Sequence, residues 1–165
     1  MGLYIGKKSK RIWKYILLAL VAILLFNMAW FIWREISYRR YVTDDMKPTM
    51  FSSVWVPRYH VKDKEGYQFN VKYPNYPSFT GNLAITVPTD DPFGDSIIIW
   101  PLLFANDEYG IMIADAGTEY QIYIDSSGNA IDPEYAEIVS RHSDTICDLL
   151  QRAFDKWPAL LSSTD

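Results

Sequence analysis

The feature that most constrains this chain is an uncharged apolar run from Tyr15 to Trp33, in which Asn27 is the one strongly polar residue. An α-helix rises about 1.5 Å per residue, so these 19 residues span roughly the 30 Å hydrocarbon core of a bilayer. The run lacks the polar stripe that a surface helix of a soluble domain shows. Aromatic residues mark both ends, as at the two interfaces of a spanning helix: Trp13, Tyr15, Trp30 and Trp33. We therefore predict a transmembrane helix over residues 15–33.

A cleaved signal peptide is the alternative interpretation of the same run. Signal peptides have a shorter apolar stretch, about 7–15 residues, which ends in a small-x-small cleavage site. Here the nearest such triplet, 27–29, lies inside the apolar run, so a retained anchor fits the pattern better. Within the anchor, Asn27 offers a hydrogen bond either to a second helix or to its own backbone.

The charges on either side of the run predict its orientation. Five Lys and Arg precede it within residues 1–14, whereas Arg34, Arg39 and Arg40 follow it and are accompanied by acids. Positive charge is in excess on the cytoplasmic side of membrane helices. We therefore expect a single-pass protein of the cell membrane, with its N-terminus in the cytoplasm and its C-terminal domain outside.

Charge divides the chain into two parts. Residues 1–41 carry eight Lys and Arg against one acid, a net charge of +7, and residues 42–165 carry eight against 19, a net charge of −11. Nucleic-acid binding depends on clustered Lys and Arg, so we expect no nucleic-acid partner. An acidic domain attracts basic molecules, so we expect a protein partner of this domain to be basic. With one cysteine and two histidines, an intramolecular disulfide is excluded and a Cys/His zinc site is disfavoured, and we predict no metal and no cofactor.

Alternation of apolar and polar residues begins at Val54 and predicts strands with one wet face. Turn sequences at 63–66 and 115–118 join two hairpins. Short connections between successive strands predict an antiparallel meander of five to six strands. The predicted segments are 58–62, 67–73, 82–87, 96–103, 109–114 and 119–125.

A helix is predicted from Asp132, a good N-cap followed by Pro133, to the vicinity of Trp157. At 100° per residue, apolar residues share one face: Ile138, Val139, His142, Ile146, Leu149, Leu150, Ala153 and Trp157. The opposite face is polar: Glu134, Glu137, Arg141, Asp144, Asp148, Arg152 and Asp155.

The predicted fold class is therefore α+β, with an N-terminal transmembrane helix and an antiparallel β-meander packed on one C-terminal amphipathic helix. The predicted organisation is a basic cytoplasmic tail (1–14), the transmembrane helix (15–33), a tether (34–53), the extracytoplasmic domain (54–157) and a C-terminal tail (158–165).

No sequence motif predicts catalysis, because the G-x-S-x-G, P-loop and H-E-x-x-H patterns are absent. His142 and Cys147 would lie about 140° apart around the helix, too far to form a nucleophile–base pair. We predict that His142 packs at the edge of the core, that Cys147 lies beneath a loop, and that His60 is solvated.

An acidic loop surrounds Asp90, Asp91 and Asp95, in the sequence PTDDPFGDS. Its Asp, Pro and Gly residues predict a solvated turn. The alternatives are a calcium site, although the EF-hand spacing is absent, and a hydrolase site that uses these carboxylates with His60.

Topology makes a sharper prediction, because the loops of a meander alternate between the two ends of its sheet. The acidic end, formed by loops 63–66, 88–95 and 115–118, would gather Asp63, Glu65, Asp90, Asp91, Asp95 and Asp115 against one base, Lys64. The aromatic end, formed by loops 74–81, 104–108 and 126–132, would gather Tyr76, Phe79 and Phe104 with Asp107 and Glu108. Tyr76 and Phe79 either bind a partner or cap the edge of the core.

These features predict a membrane-anchored extracytoplasmic protein-binding module with an accessory or inhibitory, immunity-like role in the cell envelope. The predicted partner-binding residues are Tyr76, Phe79, Phe104, Asp90, Asp91 and Asp95. One alternative is an envelope hydrolase that uses the Asp90/Asp91/Asp95 loop. Another is a structural subunit of a membrane complex, recognised through its transmembrane helix.

Overall fold

The computed structural model describes residues 5–89, 94–103 and 105–163. The chain forms two compact units, Met1–Arg39 and Arg40–Asp165. Asp90, Asp91 and Phe104 lie outside the described residues.

The first unit contains one long helix, α1, over Ile5–Arg39. It holds the predicted apolar run and continues beyond it in both directions, and its segment Arg11–Arg39 is long and apolar enough to cross a membrane. The Asn27 side chain donates to the carbonyl oxygen of Ile23 at 2.7 Å, so it bonds its own helix backbone, the second of the two predicted arrangements.

The second unit is an α+β domain built on a seven-stranded antiparallel sheet, in which every strand neighbours the next along the chain. The strands are β1 (Lys47–Pro48), β2 (Arg58–Lys62), β3 (Gln68–Lys72), β4 (Asn82–Thr86), β5 (Ser96–Trp100), β6 (Glu108–Asp115) and β7 (Thr118–Ile124). The predicted meander is confirmed, with one strand more than the five to six expected.

The additional strand is β1, which lies in the segment 34–53 predicted as a tether. That segment also contains the last turns of α1. A strand of two residues is too short to show alternation. Pro48 is tolerated in β1 because β1 is at the edge of the sheet.

The predicted C-terminal helix is interrupted once. Asp132 caps a 3₁₀ turn over Pro133–Tyr135, its side chain accepting from the Glu134 amide, and α2 (Ala136–Arg141) and α3 (Ser143–Lys156) follow. A second 3₁₀ segment covers Pro158–Ser163. The break is at His142, whose backbone (φ −104°, ψ 13°) leaves the helical region. The apolar period did not reveal this break because α2 and α3 both bury the predicted face.

The core lies between one face of the sheet and the helices. Strands β3–β7 bury the alternate residues of that face, and the helices cover them with Val139, Ile146, Leu149, Leu150, Ala153 and Trp157. The indole of Trp157 stacks edge-on against Phe69 and donates to the Tyr41 carbonyl at 2.9 Å.

Candidate functional site

The order of the strands assigns every loop to one end of the sheet. The β2–β3, β4–β5 and β6–β7 loops form the acidic end, as predicted. The other three predicted loops form the aromatic end, which also receives the β1–β2 loop, residues 49–57. The sequence did not indicate this last loop because it lies in the region predicted as a tether.

At the acidic end, Arg152 of α3 meets three carboxylates. Its guanidinium lies 2.6 Å from Glu65, 2.9 Å from Asp148 and 3.8 Å from Asp63. It also stacks 3.7 Å from the centre of the Tyr67 ring, and the Tyr67 hydroxyl donates to Asp148 at 2.7 Å. The hydrogen bond to Asp148 is the main cause that raises the pKa of Arg152.

A second ion-pair cluster joins the β6–β7 turn to the break between the two helices. Arg141 lies 2.5 Å from Asp115 and 2.8 Å from Glu137. The His142 ring approaches Asp115 at 3.3 Å through Nε2 and Asp95 at 3.9 Å through Nδ1. Hydrogen bonds from Arg141 and His142 lower the pKa of Asp115.

These contacts correct the predicted charge of the acidic end. The sequence assigned it six acids and one base, but two arginines and a histidine of the helices reach its loops. Helical periodicity placed Arg141 and Arg152 on the polar face, yet long side chains reach sideways from a helix to neighbouring loops. Of the acids predicted at this end, the four that the structure describes therefore contact side chains of the helices: Asp63, Glu65, Asp95 and Asp115.

Asp95 belongs to this internal network. Its carboxylate accepts from the Ala114 amide at 3.2 Å and faces His142. The hydrolase and calcium interpretations of the acidic loop therefore depend on Asp90 and Asp91. Across the part of the chain that the structure describes, no group of three or more His, Cys, Asp or Glu side chains is arranged to hold a metal ion.

The remaining candidates for chemistry are dispersed. His60 is exposed on β2, as predicted. His142 is partly buried, at the edge of the core, as predicted, and contacts carboxylates there. Cys147 is exposed on α3, so its predicted position beneath a loop is wrong.

The aromatic end holds a cavity of about 700 Å³ beside the edge strand β7. The β5–β6 and β7–α2 loops both line it, so the topology correctly predicted that they meet. Its polar and aromatic lining includes Asp107, Glu108, Asp125, Asp132, Tyr123 and Tyr135.

Carboxylates dominate the charge around this cavity. Within the described residues, Glu108, Asp125 and Asp132 form no ion pair with a Lys or Arg. Burial opposes the ionisation of Asp125, but hydrogen bonds from Asn129 and Ser127 lower its pKa overall. Tyr109 also lines the cavity, and its burial, with the nearby Asp107 charge, raises its pKa to about 12.

Exposed apolar side chains are concentrated at the same end. Tyr76 and Phe79 of the β3–β4 loop are each 42% exposed. The β1–β2 loop is more exposed still: Met50 88%, Phe51 74%, Val54 76% and Trp55 61%. Four large apolar residues occur within residues 49–57, a segment too short to show alternation. This cluster is the sequence signal that could have identified the loop.

Comparisons with protein-family models, with curated proteins and with solved structures find no match to this chain.

Proposed function

We propose that this chain is a single-pass, membrane-anchored module that binds a basic protein outside the cytoplasm through the cavity at its aromatic end. α1 supplies the anchor, and the bases of residues 1–14 favour a cytoplasmic N-terminus. The observation that carries the binding proposal is the cavity beside β7, which combines carboxylates with tyrosine rings.

The chemistry of the cavity suits Lys or Arg side chains of a protein. Carboxylates attract the cationic head group, and the faces of tyrosine rings stabilise it through cation–π interaction. Tyr123 and Tyr135 supply such rings, and Glu108 and Asp132 supply charge. A volume near 700 Å³ accommodates a few side chains, so the rest of an interface would extend over the neighbouring loops.

Tyr76 and Phe79 provide that extension on the β3–β4 loop. Tyrosine and phenylalanine are enriched in the cores of protein interfaces, where they exclude water from the polar contacts around them. The proposed binding surface is therefore the cavity together with these two rings.

Anchoring explains why a modest interface would suffice. A tether confines the domain to a thin layer beside the membrane and so raises its effective concentration toward any partner found there. This suits an accessory subunit of an envelope complex, and equally an immunity-like inhibitor that meets a toxin at the membrane surface. The net charge of −11 over residues 42–165 fits a basic partner in both cases.

The test is co-purification of the full chain from its native membrane in mild detergent, with mass spectrometry of the proteins recovered. Glu108→Lys reverses one charge at the cavity, and we expect it to reduce the recovered partner by more than about tenfold, because like charges facing each other cost several kcal/mol. Glu119→Lys is the matched control, since it makes the same change on exposed β7 surface outside the cavity lining.

Recovery of the same partner by wild type and by both variants would refute the cavity as the binding site. An anchor swap separates the structural-subunit alternative. If replacing residues 15–33 by an unrelated apolar helix abolishes recovery while the cavity is intact, the recognition lies in the anchor.

A further inference from the structure

The β1–β2 loop forms a small apolar tip at the edge of the domain. Met50, Phe51, Val54 and Trp55 project from it with three-fifths or more of each side chain exposed. Single exposed apolar residues are common on soluble domains, but a group of this kind within one loop marks a site of contact with a protein or a membrane.

Hydrogen bonds within the β1–β2 loop hold the tip in a defined turn. The Ser52 amide donates to the Thr49 carbonyl and the Ser53 amide to the Val56 carbonyl, at 2.9 and 3.2 Å. The Ser52 and Ser53 hydroxyls accept from the amides of Arg58 and Val56. These bonds use the polar groups of the loop internally, which leaves its apolar side chains to present outward.

The length of the chain places a bilayer within reach of this tip. Met50 lies eleven residues after Arg39, the last residue of α1. A fully extended chain covers at most about 3.6 Å per residue, so this connection can span at most about 40 Å.

The charged residues next to the tip indicate that the surface it contacts is anionic. Arg58 and Lys72 face each other directly across the β2–β3 pair. Like charges opposite one another destabilise a sheet, and neither residue forms an ion pair within the described part of the chain. In a domain of net charge −11 from residue 42 onward, this is a local cationic site beside the apolar tip, and an anionic head group would relieve its repulsion.

We propose that the β1–β2 loop is a membrane-contacting tip: its four apolar side chains enter the interface of an anionic bilayer, and Arg58 and Lys72 contact the head groups. Tryptophan and phenylalanine favour this interface, and buried apolar area with electrostatic attraction supplies the affinity. The inference rests on the proposed anchoring by α1.

This contact leaves the proposed partner site accessible. The tip lies at the β1 edge of the sheet and the cavity at the β7 edge, and six strand spacings of about 4.8 Å separate them by roughly 29 Å. The tip would orient the domain on the membrane while the cavity remains available to protein.

The experiment uses the full chain reconstituted in liposomes of phosphatidylcholine with or without phosphatidylglycerol. A solvent-sensitive fluorophore is attached at Val54→Cys in a Cys147→Ser background, and the control carries it on native Cys147, which is exposed on α3. We expect a blue-shifted emission at position 54 that nitroxide-labelled lipid quenches. At Cys147 we expect aqueous emission and no quenching.

Charge is tested in the same preparation. Arg58→Gln/Lys72→Gln is expected to reduce quenching at position 54 in phosphatidylglycerol liposomes toward the value seen in phosphatidylcholine alone. Equal, aqueous emission at positions 54 and 147 in both lipids would overturn the proposal. Quenching at 54 that is identical with and without these two cations would overturn the assigned role of Arg58 and Lys72.

Alkaline carbonate extraction of the same liposomes distinguishes failure of this inference from failure of the anchor. If the protein resists extraction and position 54 is aqueous, the tip proposal is wrong and the anchor stands. If the protein is extracted, the anchor proposal is wrong. The quenching measured at position 54 before extraction then tests the tip proposal independently of the anchor.

Discussion

At the scale of single residues, Arg152 makes the most consequential contact between helix and sheet. It joins α3 to the β2–β3 hairpin through Glu65 and Asp148 and stacks on Tyr67. Individual exposed ion pairs contribute little, but a partly buried network with a stacked ring contributes more. The Arg152 guanidinium thus offsets the repulsion among these carboxylates and links α3 to the β2–β3 hairpin.

We expect Arg152→Met to lower the free energy of unfolding by about 1–2 kcal/mol, because it removes the ion pairs and the cation–π contact and leaves the carboxylates facing one another. Chemical denaturation of the full chain in detergent measures it. Arg141→Met is the matched control: its side chain is 46% exposed, so a smaller loss is expected. Equal losses for the two variants would contradict the assigned role of the stacked network.

The same network has a predictable dependence on pH. Burial opposes ionisation of Asp148, but hydrogen bonds from Arg152 and Tyr67 lower its pKa overall. A carboxylate whose folded-state pKa is lowered adds stability above its unfolded value, about 3.9, and loses it as the pH passes downward through the folded value. The difference between wild type and Arg152→Met should therefore shrink below about pH 4.

At the scale of elements, the outer face of the sheet is fixed by a close approach at Gly110 of β6. The Trp100 ring of β5 lies over this glycine and packs against Tyr123 of β7, with ring centres 5.8 Å apart. A Cβ at position 110 would come within 2.9 Å of the Trp100 ring. The absence of a side chain at Gly110 therefore allows the Trp100 ring to lie across β6 and reach Tyr123.

We expect Gly110→Ala to cost about 1–3 kcal/mol of stability, because the indole must move from its packed position. Thermal unfolding of the full chain measures this cost. In a Trp100→Leu background the same substitution should cost markedly less, since the obstructing ring is gone. An unchanged cost in that background would show that the clash with Trp100 is not the cause.

At the scale of the whole molecule, the proposals combine one anchor, one lipid-contacting tip and one protein-binding cavity. Orientation is the premise on which they all depend. We expect protease added to cells whose outer barrier has been permeabilised or stripped to degrade residues 54–157. An epitope at the N-terminus should stay protected until the membrane is lysed. Protection of residues 54–157 under those conditions would contradict the proposed topology.

The sequence by itself determined the order and type of the elements. The 19-residue apolar run predicted α1, and Asp132 with Pro133 predicted the start of the helical segment. The predicted ends of β2–β7 agree with the structure to within one residue, except that β5 ends three residues earlier than predicted. These features depend on period and on local backbone chemistry, which neighbouring residues carry. The meander followed because short connections leave each strand one nearby partner.

Only the tertiary structure decided which charges and apolar residues meet. Arg141 and Arg152 compensate an acidic end that was predicted to be open, and the cavity beside β7 arises where two distant loops converge. The β1–β2 loop exists because β1 pairs with β2 at the edge of the sheet, so the chain reverses direction between them. A strand of two residues is too short to show alternation, and the sequence pattern therefore did not predict it. Such contacts join residues far apart in the chain, and their geometry depends on side-chain reach and packing, which local sequence patterns do not contain.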